Sequence, residues 1–224
     1  ALGSFVYFTA NDGEHGEMEL WKSDGTAAGT SLVKDVVTGT LPSIPGQLTP
    51  VGTEIFFAAE DQATGRELWK SDGTSTGTIL VKDILEGPGS ANPFYLVAAG
   101  PRVFFVADDG THGAELWMSD GSEEGTVMVK EIVEGPFSAD PYSLVAVGST
   151  VFFAAYDGTH GAELWMSDGS EDGTVMVKDI NPDLMSSNPY SLVAVGSTVF
   201  FVATMVLTAP SCGCRMVPKR GPSW

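Results

Sequence analysis

The sequence predicts an all-β fold, a β-propeller of about four blades that each hold four antiparallel strands. One phrase, Glu-Leu-Trp-(Lys or Met)-Ser-Asp-Gly, recurs at an interval of 48 residues, starting at Glu19, Glu67, Glu115 and Glu163. A repeat of about 40 to 50 residues is the length of one propeller blade. Within each repeat, short β-prone runs are separated by clusters of Gly, Asp, Ser and Thr, which is typical of strands joined by tight turns.

The fourth repeat shows the unit best, with strand A at 144–147, strand B at 150–155, strand C at 162–166 and strand D at 174–180. Strand B is apolar on both faces, which predicts a central strand covered by neighbouring sheets. Strand D carries a lysine in every repeat, which suits an outer edge strand that must avoid pairing with other chains. These residues are Lys34, Lys82, Lys130 and Lys178. A Pro- and Ser-rich loop then crosses to the next blade.

The repeats predict one domain over residues 1–203, with the blade phrases at 19–26, 67–74, 115–122 and 163–170. The chain starts at the end of a strand A. A last strand A follows Pro189, where residues 189–201 repeat residues 141–153 without a change. We expect this last strand to pair with the incomplete first blade and close the ring, as many propellers do.

Residues 204–224 do not follow the repeat. When they are back-translated with permitted codons and read in a shifted frame, they yield the same string as residues 109–128. A one-base deletion after the codon of Ala203 accounts for this, so the tail is interpreted as an out-of-frame fifth blade that is non-native or disordered. Cys212 and Cys214 therefore carry no information about redox compartment, and their spacing is no metal motif.

The formal net charge of −18 predicts an acidic surface that repels nucleic acid and anionic lipid. Apolar runs fall short of the roughly 18 to 20 residues that a membrane helix needs, so membrane insertion is not expected. The chain opens without Met in the middle of a repeat. A signal peptide, if the protein has one, is therefore expected outside this sequence.

The phrase at 19–26, followed by Gly-Thr at Gly29 and Val-Lys-Asp at Val33, resembles the ELWxxDGT repeat family of bacterial proteins. The resemblance covers residues 1–203. It implies repeated β-blades and a secreted or cell-surface location, and it implies no catalytic residue, substrate or cofactor. The third and fourth copies have Ser122 and Ser170 where the family has Thr, a change that a turn tolerates.

Two sets of recurring residues are predicted to be structural. An Asp in each Ser-Asp-Gly turn between strands C and D can accept hydrogen bonds from its own turn, and the following Gly can take a positive φ angle. These are Asp24, Asp72, Asp120 and Asp168. The tryptophans lie mid-strand in every blade, which favours packing between blades over stacking on a sugar. They are Trp21, Trp69, Trp117 and Trp165.

The loop between strands B and C holds the candidate ligand-binding residues. In a propeller this loop shares one face with the D–A loops, and that face usually carries the binding sites. A carboxylate with a nearby histidine can hold a cation or a sugar hydroxyl, although a polar Gly-rich turn explains the same pattern. The residues are Asp12, His15, Asp61, Asp109, His112, Asp157 and His160, and Thr64 replaces the histidine in the second blade. Calcium is the cation that oxygen-rich loops favour, with Asp109 and Asp157 as its possible ligands.

These patterns favour a non-enzymatic binding or scaffolding module of a secreted or cell-surface protein, with a carbohydrate or protein ligand on the B–C and D–A loop face. Identical blades repeat the same groups, whereas catalysis generally needs one asymmetric constellation, so no catalytic residue is predicted. One alternative is a carbohydrate-active enzyme, a glycoside hydrolase or lyase that uses loop carboxylates. Another is a frameshifted fragment without activity. The oligomeric state is left open.

Overall fold

The computed structural model describes residues 2–14, 18–37, 43–182 and 185–205. These residues form seventeen short strands in five antiparallel sheets and contain no helix. The all-β fold and the antiparallel pairing of consecutive strands are therefore confirmed. No described helix is long and apolar enough to cross a membrane.

The five sheets follow one another along the chain. Sheet 1 contains β1 (Val6–Ala10), β2 (Glu19–Ser23) and β3 (Ser31–Lys34). Sheet 2 contains β4 (Gly46–Val51), β5 (Glu54–Asp61), β6 (Gly65–Ser71) and β7 (Ile79–Lys82). Sheet 3 contains β8 (Phe94–Ala99), β9 (Arg102–Asp108), β10 (Ala114–Ser119) and β11 (Val127–Lys130). Sheet 4 contains β12 (Tyr142–Val147), β13 (Thr150–Tyr156), β14 (Ala162–Ser167) and β15 (Val175–Lys178), and sheet 5 contains β16 (Tyr190–Val195) and β17 (Thr198–Val202).

The three four-stranded sheets have the order A-B-C-D that the repeat predicts. Within the residues that the structure describes, sheet 1 contains strands B, C and D, and sheet 5 contains strands A and B. The predicted ring closure is not found among the described residues. The last strand A, β16, pairs with β17 of its own repeat, and β1 pairs with β2 only. The predicted out-of-frame tail, residues 204–224, lies outside the described residues from residue 206 onward.

Strand B is an inner strand of each four-stranded sheet. In β5, the run Ile55, Phe56, Phe57, Ala58 and Ala59 is buried residue by residue, so both faces of the strand are covered. Since side chains alternate across a strand, an apolar run without alternation is stable only where another layer lies on each side. The sequence-based interpretation of strand B as a central strand is therefore confirmed.

The hydrophobic core lies between consecutive sheets rather than within one. Leu20 and Val33 of sheet 1 pack with Phe57 and Trp69 of sheet 2, and the same pattern joins sheet 2 to sheet 3 and sheet 3 to sheet 4. Trp69, Trp117 and Trp165 each belong to the cluster that their sheet shares with the sheet before it. Trp69, Trp117 and Trp165 are buried, whereas Trp21, in the first described sheet, is partly exposed.

In sheets 1 to 3, the lysine of strand D links its sheet to the next one. Lys34 Nζ donates to the Thr78 carbonyl oxygen at 2.7 Å, and Lys82 and Lys130 make the corresponding bonds to Thr126 and Thr174 at 3.0 and 3.1 Å. Strand D is the edge strand of its sheet, as the charge pattern predicts. Its lysine also bridges two repeats, which sequence reasoning did not foresee.

The position of the tryptophans gives a matched test of packing between sheets. We expect Trp117→Ala to lower the free energy of unfolding by about 3 to 5 kcal/mol, because it leaves a cavity between two covered sheets. Trp21→Ala should cost less than half as much, because that side chain is already partly exposed in the folded protein. Urea unfolding followed by circular dichroism measures both values, and equal losses would contradict the packing described here.

Candidate functional site

Four buried glutamates connect the sheets to the loops that cross between them. The glutamate that opens each repeated phrase is almost fully buried, and its side chain points into the protein between strand C and the D–A loop. Its exposure is 2% for Glu19 and 0% for Glu67, Glu115 and Glu163. A charged side chain is rarely buried so completely unless hydrogen bonds replace its water.

The second repeat shows what those hydrogen bonds are. Glu67 accepts from the backbone N–H of Ile84 at 3.0 Å through Oε2, and from the N–H of Ala91 at 2.9 Å through Oε1. Both donors lie in the D–A loop that follows strand D. Glu163 makes the same two bonds, to Ile180 and Ser187, and also accepts from the Ser187 hydroxyl at 2.6 Å. One carboxylate thus holds both ends of the crossing loop.

The crossing loop also holds the next sheet. The carbonyl oxygen of Ala91, whose N–H donates to Glu67, accepts the N–H of Asp108 at the end of strand B in sheet 3. Ser43 joins Glu19 to Glu60 in the same way, and Ser187 joins Glu163 to Thr204. A continuous chain of hydrogen bonds therefore runs from strand C of one sheet through one loop residue to strand B of the next.

Burial changes the acidity of these groups. Removal from water raises the pKa of Glu67 to about 7, against the opposing effect of the N–H groups of Ala91 and Ile84. Burial likewise raises the pKa of Glu115 to about 7, and it raises the pKa of Glu19. A second carboxylate in the same repeat adds to the effect, Asp83 beside Glu67 and Glu131 beside Glu115.

The B–C loops of sheets 3 and 4 each hold an Asp–His pair. In sheet 3, Asp109 Oδ2 lies 2.8 Å from His112 Nδ1, while Asp109 Oδ1 accepts the N–H groups of Thr111 and His112. Asp157 and His160 repeat this arrangement with an Oδ2–Nδ1 distance of 2.7 Å. The histidine side chains are 33% and 39% exposed, so both rings reach solvent.

Within each pair, the aspartate and the histidine shift each other's pKa. The hydrogen bond that Asp109 accepts from the His112 ring raises the pKa of His112, and Asp157 does the same for His160. Burial works to raise the pKa of Asp109, but the bonds from His112 and the loop N–H groups outweigh it and lower the pKa. The same balance lowers the pKa of Asp157. A carboxylate that is ionised near neutral pH therefore holds each imidazole by Nδ1 and leaves Nε2 toward solvent.

The second repeat has Thr64 where the later repeats have the histidine, and the histidine of the first repeat is not among the described residues. Asp61 accepts the N–H of Ala63 within its loop, and the Thr64 hydroxyl oxygen is buried without a partner among the described residues. Asp12 accepts the N–H of Glu14, and His15 lies outside the described residues. Of the seven residues predicted to bind a ligand, the structure brings Asp109 to His112 and Asp157 to His160.

The B–C loop of one sheet lies beside the D–A loop of the sheet before it. Val36 and Val37 of the first D–A loop form a shallow groove with Asp61, Gln62 and Ala63 of the next B–C loop. Farther along, Gly110 approaches Leu85 so closely that a Cβ atom on the glycine would lie 2.8 Å from a leucine methyl carbon. The two kinds of loop therefore form one surface, here called the loop face.

The Asp residues of the Ser-Asp-Gly turns bond within their own turns. Asp24 Oδ1 accepts the N–H and the hydroxyl of Thr26 at 2.9 and 2.7 Å, and the Thr26 hydroxyl oxygen accepts the N–H of Gly29. The side-chain bond from Thr26 lowers the pKa of Asp24. The three later turns have the same bonds, centred on Asp72, Asp120 and Asp168.

Within the described residues, no group of three or more His, Cys, Asp or Glu side chains lies together in a way that suits a metal ion. The oxygens of Asp109 and Asp157 already accept hydrogen bonds from their own loops. The geometry therefore adds no support to calcium binding at these residues, and calcium stays a prediction from the sequence.

Sequence reasoning missed the buried glutamates. The available signal was that Glu stands beside Leu-Trp in every copy, even in blades whose loop residues differ. Its partners are backbone N–H groups, which no sequence pattern displays. The Asp–His pairs were visible as residues three apart in a Gly-rich loop, a spacing at which a turn brings side chains together.

The chain matches no family model and no curated protein. Among solved structures, it is similar to a puromycin hydrolase S511A mutant complexed with PGG, with 15% identity, a TM-score of 0.51, and coverage of 93% of this chain and 34% of that one. The computationally designed Ika8 protein is 16% identical, with a TM-score of 0.48 and coverage of 91% and 54%. TolB from Acinetobacter baumannii is 8% identical, with a TM-score of 0.46 and coverage of 83% and 43%.

The puromycin hydrolase mutant is a propeller-like protein, and the likeness to it shows the fold alone. The chain spans about half the length of the Ika8 protein and about a third of the puromycin hydrolase. The chain is therefore a propeller-like array of sheets, without a closed ring among the described residues.

The raised pKa of Glu67 predicts a specific pH dependence of stability. Between an unfolded pKa of 4.5 and a folded pKa of about 7, the folded protein keeps a proton that the unfolded chain releases, so the free energy of unfolding falls as pH rises. The fall is at most about 3 kcal/mol for this residue, at 1.36 kcal/mol for each pKa unit. Glu67→Gln should remove that part of the slope between pH 5 and pH 8.

Urea unfolding at several pH values measures the slope, and Glu124→Gln, at an exposed glutamate, is the matched control. The histidines and the other carboxylates titrate equally in the compared proteins, so the difference isolates Glu67. An unchanged slope in Glu67→Gln would show that this residue is ionised in the folded protein at all these pH values.

Proposed function

We propose that the chain is a non-enzymatic binding or scaffolding module of a secreted or cell-surface protein, and that its ligand contacts the loop face. The observation that carries the proposal is the repeated Asp–His pair. Asp109 with His112 and Asp157 with His160 have the same bonds at the same place in two successive sheets, and both histidines are partly exposed.

The chemistry of the pair favours a ligand with hydroxyl groups. Because the aspartate holds Nδ1, Nε2 accepts a hydrogen bond when the imidazole is neutral and donates one when it is protonated. A sugar hydroxyl satisfies either state, because it both donates and accepts. Hydrogen bonds from the loop N–H groups to Asp109 and Asp157 hold each pair in one orientation, which lowers the cost of ordering it on binding. Carbohydrate is accordingly the first ligand class, and a protein surface rich in Ser and Thr the second.

Repetition favours binding over catalysis. Two identical pairs lie one repeat apart, so a polymer with a repeating hydroxyl pattern can engage both, and the second contact is then intramolecular. Catalysis instead needs distinct groups with different roles around one reacting atom. Two further carboxylates of these repeats, Glu115 and Glu163, are bonded to backbone N–H groups inside the protein and do not reach the surface.

A panel of bacterial polysaccharides tests the proposal. We expect at least one polysaccharide to bind, and the double variant His112→Thr, His160→Thr to weaken that binding more than tenfold, with each single variant losing less. The threonine copies the residue that the second repeat has at this position, Thr64. The measurement is biolayer interferometry on immobilised polysaccharide.

The control for that experiment is Glu123→Gln with Glu171→Gln, in the C–D turns at the opposite ends of the strands. Equal affinity of the double histidine variant and the parent protein would contradict the assignment of the loop face. Release of reducing ends or unsaturated sugars from any polysaccharide would instead favour the hydrolase or lyase alternative.

A further inference from the structure

A large aromatic side chain lies exposed beside one of the Asp–His pairs. Phe137, in the D–A loop that follows β11, is 68% exposed, and it is the most exposed of the large apolar side chains that the structure describes. Its loop connects sheet 3 to sheet 4, and both of these sheets have four strands. A single exposed apolar residue is ordinary on a protein surface. Phe137 is distinguished by its neighbours.

The backbone of Phe137 touches the B–C loop of its own sheet next to His112. A Cβ atom on Gly113 would lie 2.9 Å from the Phe137 carbonyl carbon, and Gly113 has a φ angle of +68°, so a side chain there would be strained. Ser138 Oγ accepts the N–H of Ala114 at 2.9 Å in the same contact. His112 precedes this contact in one loop and Phe137 stands at it in the other. The two exposed side chains therefore border one contact between loops.

Hydrogen bonds fix the D–A loop on both sides of Phe137. Before it, Gly135 N–H donates to Glu131 Oε1 at 2.6 Å. After it, the carbonyl oxygen of the buried Ala139 accepts the N–H of Tyr156 in sheet 4 at 2.9 Å. An aromatic side chain has two torsion angles, so on a fixed loop it loses little conformational entropy when it binds a ligand.

The repeats vary the histidine and this apolar residue together. Where the B–C loop has a histidine, the residue at the position of Phe137 is large and apolar, and where the loop has threonine, that residue is glycine. The two loops are nevertheless joined alike in the second repeat, because Arg66 N–H donates to Ser90 Oγ at 3.0 Å. The two side chains are thus present together or absent together, as expected if they bind one ligand. The combinations are His112 with Phe137, His160 with Met185, Thr64 with Gly89, and His15 with Leu41, of which the last two residues lie outside the described residues.

We propose that Phe137 is an aromatic platform that binds the face of a sugar ring while the His112 imidazole binds a hydroxyl group on the rim of that ring. The inference rests on the proposed function and specifies its ligand. A hexose ring with mostly equatorial hydroxyl groups has C–H groups on its faces, which suit the electron-rich face of a phenyl ring. The hydroxyl groups on its rim donate and accept hydrogen bonds. Ligand sites commonly combine apolar surface with a few polar groups in this way.

The surrounding charge favours a neutral sugar. Glu134 and Asp140, in the same loop as Phe137, are both exposed, and the whole chain has a formal net charge of −18. A uronic acid unit would bring a further carboxylate beside them, and like charges repel. The expected ligand is therefore a polymer of glucose- or galactose-type units without acidic groups.

Biolayer interferometry on an immobilised neutral β-glucan, a neutral galactan and a polyuronate tests the inference. We expect the wild-type protein to bind at least one neutral polymer and not the polyuronate. Phe137→Ala should weaken that binding about tenfold, a loss typical of an aromatic anchor. Phe137→Trp should keep the affinity, because an indole offers a similar flat face. Phe137→Leu should behave like Phe137→Ala, because leucine has the volume but no ring.

Val127→Ala is the matched control. Val127 belongs to the same sheet and is also exposed, but it lies beside the C–D turn, at the opposite end of the strands from the loop face. This variant should bind like the wild type. Thermal unfolding followed by circular dichroism should give equal melting temperatures for the variants at both positions, since both side chains are on the surface.

The outcomes distinguish the platform from the proposed function. Binding that falls in the double variant His112→Thr, His160→Thr but not in Phe137→Ala would overturn the platform and leave the loop face as the binding surface. Full affinity of Phe137→Leu would also overturn it, because apolar packing of the kind that a protein ligand makes would then suffice. Binding to the polyuronate alone would overturn the assignment of a neutral sugar. Binding to none of the polymers would overturn the platform together with the carbohydrate ligand.

Discussion

The structure depends on a carboxylate that is buried in every repeat. Glu67 accepts backbone N–H groups from both ends of the loop that leaves its sheet, and the loop residue Ala91 passes the connection to strand B of the next sheet. A loop in this position has N–H groups that no strand partner satisfies, and leaving them unpaired in the interior would cost roughly 1 to 3 kcal/mol each. The glutamate supplies the acceptors, and its burial in turn raises its pKa.

Stability in this architecture is shared between neighbours. Every hydrophobic cluster contains residues of two consecutive sheets, and the lysines of strand D reach the following sheet. A repeat protein of this kind gains its stability from nearest-neighbour interfaces, so the terminal sheets are the weakest parts unless something covers them. The buried glutamates hold the D–A loops by hydrogen bonds. The Asp–His pairs lie in the neighbouring B–C loops of the same loop face.

Much of the fold follows from the sequence because its signals are local. An apolar run without alternation in strand B and a tryptophan in the same place in every copy indicate layers of sheets, and the structure has them. Ring closure did not follow, because it depends on the angle between successive sheets, which no residue type specifies. The role of Glu67 was missed for a related reason: its partners are backbone N–H groups of residues 17 and 24 positions farther along the chain. The pairing of Asp109 with His112 was accessible, since both residues belong to one short loop.

Amide hydrogen exchange tests the central claim most directly. In the wild-type protein, the N–H groups of Ile84 and Ala91 should be protected, and in Glu67→Ala their protection should fall at least tenfold. The N–H groups of Ile180 and Ser187, which Glu163 binds in the same way, are the internal reference and should keep their protection. Unchanged protection at Ala91 would contradict the account, because the loop would then be held by something other than the carboxylate. An equal loss at Ala91 and Ser187 would also contradict it, because the substitution would then weaken the whole protein instead of one connection.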